Sequence, residues 1–494
     1  MSLARALALN TGIQLIGKIV STALGVVIIG LMTRYLGQEG FGIYSTANAF
    51  LQVFALLMDL GLNVTLVALL GEHADDKAYE TRCVSAFLTL RVVMAVAIIG
   101  ILAPIAAFLT PNYSPLLKFS ILILTGSFLF PAINQVLTGV QQRHLKMHIA
   151  ALGEILARVV LLIGLLIALH QRWGLLPIVS FVSLAAFANL LLSFIQTRHY
   201  TNLRWNWDPA FWKSALQRSW PIGLSIAFNL VYFKADTLVL SWTRSTAEVG
   251  IYSAAYRVLE ILITVPYMYA GILLPILSGY WVNKRTKDFS NLLSRSLDAT
   301  TLFVLPMMVG TWILGTQIMT TVAGADFAVS GSIIRVLIIA VGIIYVNVVF
   351  SHAVVALDAQ RKMIAVYLVT ALLTLGGYIL FIPTYGMWAA AWLTVFSELC
   401  VGVGSYVVTR RYATVDIEWR PFFAALLSSA VMAAAIWPLR HYFLLLPLMA
   451  GGCVYAICLW LFGGVSKNTL QSIIALKQAP PQKTSSLVSP LERE

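Results

Sequence analysis

Thr33-Arg34-Tyr35-Leu36-Gly37, followed by Glu39 and Gly42-Ile43-Tyr44-Ser45, returns six apolar stretches later as Thr243-Arg244, Glu248 and Gly250-Ile251-Tyr252-Ser253. A second echo keeps the same register. Gln141-Gln142-Arg143 with Lys146-Met147 follows the fourth apolar stretch, and Gln360-Arg361-Lys362-Met363 follows the tenth. Two matches in one register point to a duplicated half of six spans. An even number of spans gives both halves the same orientation, so the repeat axis runs along the membrane normal, and such repeats place a binding site between the halves.

The stretches between these motifs are membrane spans. Of 494 residues, 60% are hydrophobic and 11% charged, whereas a soluble domain carries roughly 25% charge. The apolar runs are about 20 residues long, which a helix needs to cross a hydrocarbon core of ~30 Å. Backbone amides in lipid must bond within their own segment, so these runs are helices. Fourteen spans are expected, near 10–32, 43–70, 83–109, 118–140, 149–169, 176–197, 219–241, 250–280, 297–322, 331–357, 363–382, 385–408, 421–439 and 441–463. The first is long enough to span and lacks a small-residue cleavage site after a short apolar region, so it reads as a helix rather than a removed signal.

The net charge of +13 is an orientation signal. With the N-terminus cytoplasmic, one set of alternate loops holds 22 Lys and Arg, among them Arg143, Lys146, Arg204, Arg218, Lys284 and Arg361. The opposite loops hold five: Arg34, Lys118, Arg172, Arg244 and Arg440. That asymmetry puts both termini on the cytoplasmic side. Nucleic acid is not the expected partner. Cys83, Cys400, Cys453 and Cys458 lie in apolar segments without clustered His and read as reduced packing residues.

The expected organisation is a six-helix bundle at 1–197, a cytoplasmic amphipathic linker at 198–218 and a second six-helix bundle at 219–408. Two further transmembrane helices follow at 409–465, and a partly disordered cytoplasmic tail at 466–494. The linker's Trp205, Trp207 and Trp212 among Arg204, Lys213 and Arg218 suit a helix lying at the headgroup level.

With these features the chain resembles the polysaccharide-transporter branch of the multidrug/oligosaccharidyl-lipid/polysaccharide flippase superfamily, over nearly its whole length. The carriers are Thr33–Gly37 with Gly40-Phe41-Gly42-Ile43-Tyr44, Asp59-Leu60-Gly61-Leu62, Pro221, Asp236 before Val249–Tyr252, and Ile382-Pro383-Thr384-Tyr385-Gly386-Met387-Trp388-Ala389-Ala390-Ala391. Similar proteins usually carry Gly at position 389. The resemblance implies an all-α polytopic membrane protein with two six-helix bundles in a MATE-like arrangement plus two C-terminal helices. It implies outward movement of an undecaprenyl-pyrophosphate-linked repeat unit by alternating access, for O-antigen, capsule or exopolysaccharide assembly. A bacterial inner membrane and a polymerase and chain-length proteins of the same pathway are the setting it implies.

Six basic residues fall within spans: Lys18, Arg91, Arg158, Lys234, Arg257 and Arg335. A charge near the bilayer centre costs at least ~2.5 kcal/mol, so each should face protein or water. Glu154 with Arg158, and Arg257 with Glu260, are four and three residues apart and read as structural pairs on one helix face. Lys18, Arg91, Lys234 and Arg335 have no counter-ion on their own helix and are the candidates for a pyrophosphate, whose compact charge suits Arg forks and Lys ammonium groups. Asn63, Asn134, Gln135, Asn229 and Tyr232 are candidate partners for sugar hydroxyls, with interhelical hydrogen bonding the competing role. Asp59, Asp236, Glu398 and His352 could couple transport to a proton or sodium gradient.

Two other classes compete. A cation-coupled drug exporter of the related branch would centre on carboxylates, against which the buried bases and two extra helices count. A membrane glycosyltransferase or polymerase would need a sizeable outer loop carrying catalytic acids, and every outer loop is short. The chain has no phosphate-cradling glycine loop, no metal-spaced His cluster and no ATPase domain, so no cofactor and no enzymatic activity are expected.

Overall fold

A helix of 57 residues is about 86 Å long at 1.5 Å per residue, nearly three times the ~30 Å hydrocarbon core. The first helix of the computed structural model, α1 (Leu3–Asp59), has 57 residues but is broken at Gly37, where φ is 65° and ψ −173°. Gly37 closes the Thr33–Gly37 motif, so the repeat marks the turn between the first two crossings. The structure describes residues 3–59, 61–73, 76–415 and 419–464, without the side chains of 3–11, 13, 15, 221, 222 and 224–234. Eleven helices are long and apolar enough to cross a membrane, the first being Ile16–Glu72. Counting that one as two crossings, and adding α9 and the shorter α16 given below, yields the fourteen expected. Among the described residues there is no strand.

The chain divides into two compact units between Leu230 and Val231, inside α9 (Pro209–Thr243). In the first, the second crossing continues past Gly61 (φ 76°) as α2 (Leu62–Glu72). Next come α3 (Lys77–Met94), a π-helical stretch Ala95–Leu102, α4 (Ala103–Leu109), α5 (Pro115–Leu124), α6 (Gly126–Arg143), α7 (Met147–His170) and α8 (Leu175–Thr197). Leu62, Leu66 and Leu70 share one face of α2 and bury against Cys83, Phe87 and Leu90 of α3 and Val136 and Val140 of α6. At the basic end of these helices Glu80 is 4% exposed, with Arg143 Nε and His144 Nε2 each at 2.8 Å.

The 198–218 stretch differs from expectation. Residues 202–208 are not helical, and helix begins at Pro209 and runs without interruption into α9. The Arg204 and Asn206 N–H groups donate to Ser85 Oγ (3.3 Å) and Thr89 Oγ1 (3.0 Å) of α3, and Trp212 Nε1 donates to Ala86 O (3.0 Å). These bonds straighten the segment into a strap whose period of two points Trp205 and Trp207 outward, 74% and 68% exposed. Asp208 caps α9 by accepting from Phe211 N (3.1 Å). The Arg82 guanidinium at 2.7 Å, aided by that N–H, holds the Asp208 carboxyl below its ordinary range.

In the second unit α10 (Thr246–Val282), α11 (Thr286–Ala323) and α14 (Met387–Arg410) pack around α12 (Ser330–Ala356), the most enclosed helix. Beside them lie α13 (Gln360–Tyr385), α15 (Trp419–Ile436) and α16 (Leu445–Leu461), with α15 against α11 and α16.

The sequence echoes have matching geometry. Thr33 and Thr243 each bond back to the carbonyl four residues earlier, at 2.9 and 2.8 Å. The turn after the first crossing is tied to the α7–α8 turn by Tyr35 Oη donating to Trp173 O (2.7 Å). Its counterpart is tied to the α13–α14 turn: Arg244 donates to Ile382 O and Thr384 O, and Glu248 accepts from Met387 N at 2.8 Å. The second echo falls beside two helix ends of the same kind, with Gln141–Arg143 in the last turn of α6 and Gln360–Met363 in the first turn of α13. Leu145 (φ 54°) and Asp358 (φ 52°) occupy the left-handed position of a Schellman motif, closed by Lys146 N to Gln141 O (2.7 Å) and Ala359 N to Val354 O (3.0 Å).

Candidate functional site

Gly17, Ser21 and Gly25 form a stripe of small residues along α1, four apart, which lets α7 come close: a Cβ on Gly17 would lie 2.8 Å from Ala151 Cβ, and one on Gly25 3.8 Å from Arg158 Cζ. In that contact Lys18 Nζ is 3.2 Å from Glu154 Oε1. Ser21 Oγ donates to the same oxygen at 2.8 Å, and Arg158 Nε donates to Ser21 Oγ at 3.5 Å. The expected pairing of Glu154 with Arg158 is therefore corrected. The carboxylate turns to α1, where it meets a full ammonium, and Arg158 reaches the serine. The cluster has two cations and one carboxylate, lies in the first half of α7 and within the first crossing of α1, and is partly exposed: the Lys18 and Glu154 side chains are 46% and 37% exposed.

Arg91 also gains a partner that its own helix does not supply. Its Nη2 donates to Asp59 Oδ1 at 2.5 Å and Gln135 Oε1 at 3.1 Å, and its Nη1 donates to Met58 O at 3.4 Å. Met58 and Asp59 end α1 just before the left-handed Gly61, where helix carbonyls lose their onward N–H partners. Arg91 thus caps the break in the second crossing. At 1% exposure, with its fork committed to three acceptors, it is a positioning residue, and the headgroup role expected for it is corrected. Gln135 and Asp59, both half-buried, belong to the same knot around the buried Arg91.

In the second unit Arg335 Nε donates to Trp312 O (2.9 Å) and its Nη2 to Thr316 Oγ1 (3.3 Å), both neutral acceptors on α11. Arg257 and Glu260 pair at 2.8 Å within α10. The side chains of Lys234, Asn229 and Tyr232 lie outside the described residues, as does the tail at 466–494. Asn134 Nδ2 donates to Asn189 Oδ1 at 3.4 Å, while the buried Oδ1 atoms of Asn134 and Asn63 have no hydrogen-bond partner. Asp236 is fully buried, accepting from Tyr252 Oη (2.5 Å) and Thr237 N (2.5 Å). Glu398 is 3% exposed beside Asn347, whose Oδ1 accepts from Ser405 Oγ at 2.7 Å. His352 Nδ1 donates to Val348 O at 2.8 Å, one turn back.

The geometry brings together Lys18, Ser21, Glu154 and Arg158 at one place, and Asp59, Arg91 and Gln135 at another. Ser21 is the member that sequence reasoning missed. The signal was present in the small-residue spacing Gly17, Ser21, Gly25, which marks a helix face built for close approach.

Long apolar helices in two units that carry repeated turns define an all-helical polytopic membrane protein, and its fold is that of the multidrug/oligosaccharidyl-lipid/polysaccharide superfamily. The fold matches the lipid II flippase MurJ in an inward closed conformation with a TM-score of 0.75 at 17% identity, over 93% of this chain and 99% of that one. It also matches an inward-facing multidrug resistance MATE transporter (TM-score 0.62, 15% identity, 83% and 94% covered). The chain belongs to the polysaccharide biosynthesis protein family, whose model matches residues 7–281. It is 24% identical over 446 residues to the succinoglycan biosynthesis transport protein ExoT of Rhizobium meliloti, covering 87% of this chain and 86% of that one. It is 22% identical over 498 residues to the probable flippase AglR of Haloferax volcanii, covering 96% and 98%.

Proposed function

We propose that this protein moves an undecaprenyl-pyrophosphate-linked oligosaccharide repeat unit from the cytoplasmic to the periplasmic leaflet of a bacterial inner membrane, by alternating access, both termini being cytoplasmic. The product would feed O-antigen, capsule or exopolysaccharide assembly, with a polymerase and chain-length proteins downstream. The observation that carries this reading is the partly exposed, net-positive cluster of Lys18, Arg158, Ser21 and Glu154 within the spans. A surplus cation exposed at membrane depth attracts a compact anion and repels the cationic substrates of a drug exporter. The name of ExoT, a succinoglycan biosynthesis transport protein, supports a saccharide substrate, and that of AglR, a probable flippase, supports movement across a bilayer. A proton or sodium gradient is the proposed driving force.

The test is surface polysaccharide in cells whose only copy carries Lys18→Ala, Arg158→Ala or both, at matched membrane levels. Each cation contributes a charge-assisted bond of ~1.5 kcal/mol or more, so each single change should lower transport roughly tenfold and the double should abolish polymer. Normal polymer from the double variant would contradict the assignment of this site.

A further inference from the structure

The charge count of the α1–α7 cluster has a consequence for how it loads, resting on the headgroup reading above. Lys18 and Arg158 supply two positive charges, and Glu154 cancels one. A diphosphate diester, the linkage between a polyprenyl chain and a sugar, carries two negative charges at neutral pH. With Glu154 ionised, the loaded site would hold three negative charges against two positive at membrane depth, where an unbalanced charge is costly. With Glu154 neutral, the loaded site balances.

The geometry makes Glu154 the group that must yield. Its Oε1 takes both the Lys18 ammonium (3.2 Å) and the Ser21 hydroxyl (2.8 Å), and Ser21 Oγ is also where Arg158 Nε is spent. One carboxylate oxygen therefore engages, directly or through the serine, all three side chains that a phosphate would use, at Lys18 Nζ, Ser21 Oγ and Arg158 Nε. Among the described residues of its own unit, the charged groups beside Glu154 are two. Lys18 comes from α1 and Arg158 lies one turn along α7. Against the adjoining Gly153, α8 brings Asn189, whose Oδ1 lies 2.2 Å from where a Cβ on Gly153 would stand, and Ser193, whose Oγ lies 3.5 Å from it, while Asn134 of α6 bonds Asn189, so the side chains there are amides and a hydroxyl. Those groups do not titrate, so the proton that balances the loaded site has Glu154 as its acceptor. The Glu154 side chain is 37% exposed.

We propose that Glu154 is an exchangeable counter-ion: it holds Lys18, Ser21 and Arg158 in the empty site and takes up one proton when a diphosphate diester displaces it. Substrate loading and proton uptake are then one event; because a proton carried outward with the substrate moves against an inward gradient, Glu154 sets the affinity of the loaded site and is separate from the proposed driving force.

The test is calorimetric titration of the full-length protein in detergent with citronellyl-diphospho-N-acetylglucosamine, a short diester whose two charges are fixed across neutral pH. Heats in two buffers of different ionisation enthalpy give the protons taken up. The wild type should take up about one proton per probe bound. Glu154→Gln keeps an acceptor for Ser21 and the shape of the site, and it should take up none while binding roughly tenfold tighter or more. Proton uptake that persists in Glu154→Gln, or weaker binding by that variant, overturns the proposal. Lys18→Gln and Arg158→Gln separate it from the reading beneath it. If both weaken binding about tenfold while Glu154→Gln behaves like wild type, only the counter-ion role falls. If neither changes affinity, the headgroup site is elsewhere and both claims fall.

Discussion

Arg91→Ala is expected to destabilise the protein by about 3 kcal/mol, the lower end of the cost of removing one partner from a buried ion pair, because the Asp59 side chain is a quarter exposed. The substitution leaves the Asp59 carboxylate without its cation and Met58 O without its donor, at the point where Gly61 interrupts the second crossing. Gln135 Oε1 loses its donor as well. Arg91→Lys should recover only part of the loss, because an ammonium lacks the planar fork that reaches three acceptors. Adding Asp59→Asn to Arg91→Ala should restore about half or more, since it removes the stranded charge. Unfolding in mixed micelles, followed by circular dichroism, reads these differences. A loss below about 1 kcal/mol, or no recovery in the double variant, would show that the pair does not hold the break together.

Gly331→Val is expected to be the most disruptive change in the second unit, at about 3 kcal/mol, the upper part of the range for overpacking. A Cβ at Gly331 would lie 2.4 Å from Thr316 Cα and 2.7 Å from its N, backbone atoms that move only if α11 moves. That displacement would also pull Trp312 O and Thr316 Oγ1 away from Arg335. Gly331→Ala should act in the same direction. Gly310→Ala and Gly376→Ala, with open space at the Cβ, should be neutral or stabilising by up to ~1 kcal/mol through helix propensity. Thermal inactivation of the four variants separates the packing term from propensity. Equal behaviour of Gly331→Ala and Gly376→Ala would contradict the close crossing.

What was legible in the sequence follows from the range of the forces involved. Span length and the six-span repeat depend on local hydropathy and local turn chemistry, so Gly37, Arg244 with Glu248, and the helix end at Leu145 could be located from the sequence. Charge partners across helices depend on packing. Lys18 and Glu154 are 136 residues apart, and Arg91 and Asp59 are 32 apart, so an argument confined to one helix paired Glu154 with Arg158 and left Arg91 free. The strap at 202–208 escaped for the same reason. Its composition suits an interfacial helix, but its N–H groups find hydroxyls on α3, 119 residues away in the case of Arg204 and Ser85.

We propose that this protein carries a lipid-linked oligosaccharide across a bilayer through the Lys18–Arg158 cluster. The most direct test is leaflet exchange in proteoliposomes, using a fluorescent short-chain polyprenyl-diphospho-sugar whose outer-leaflet fraction is quenched by a membrane-impermeant reductant. The account predicts exchange well above empty liposomes and its loss in Lys18→Gln/Arg158→Gln at equal reconstitution. Exchange no faster than in empty liposomes, or equal exchange by wild type and the double variant, would contradict it.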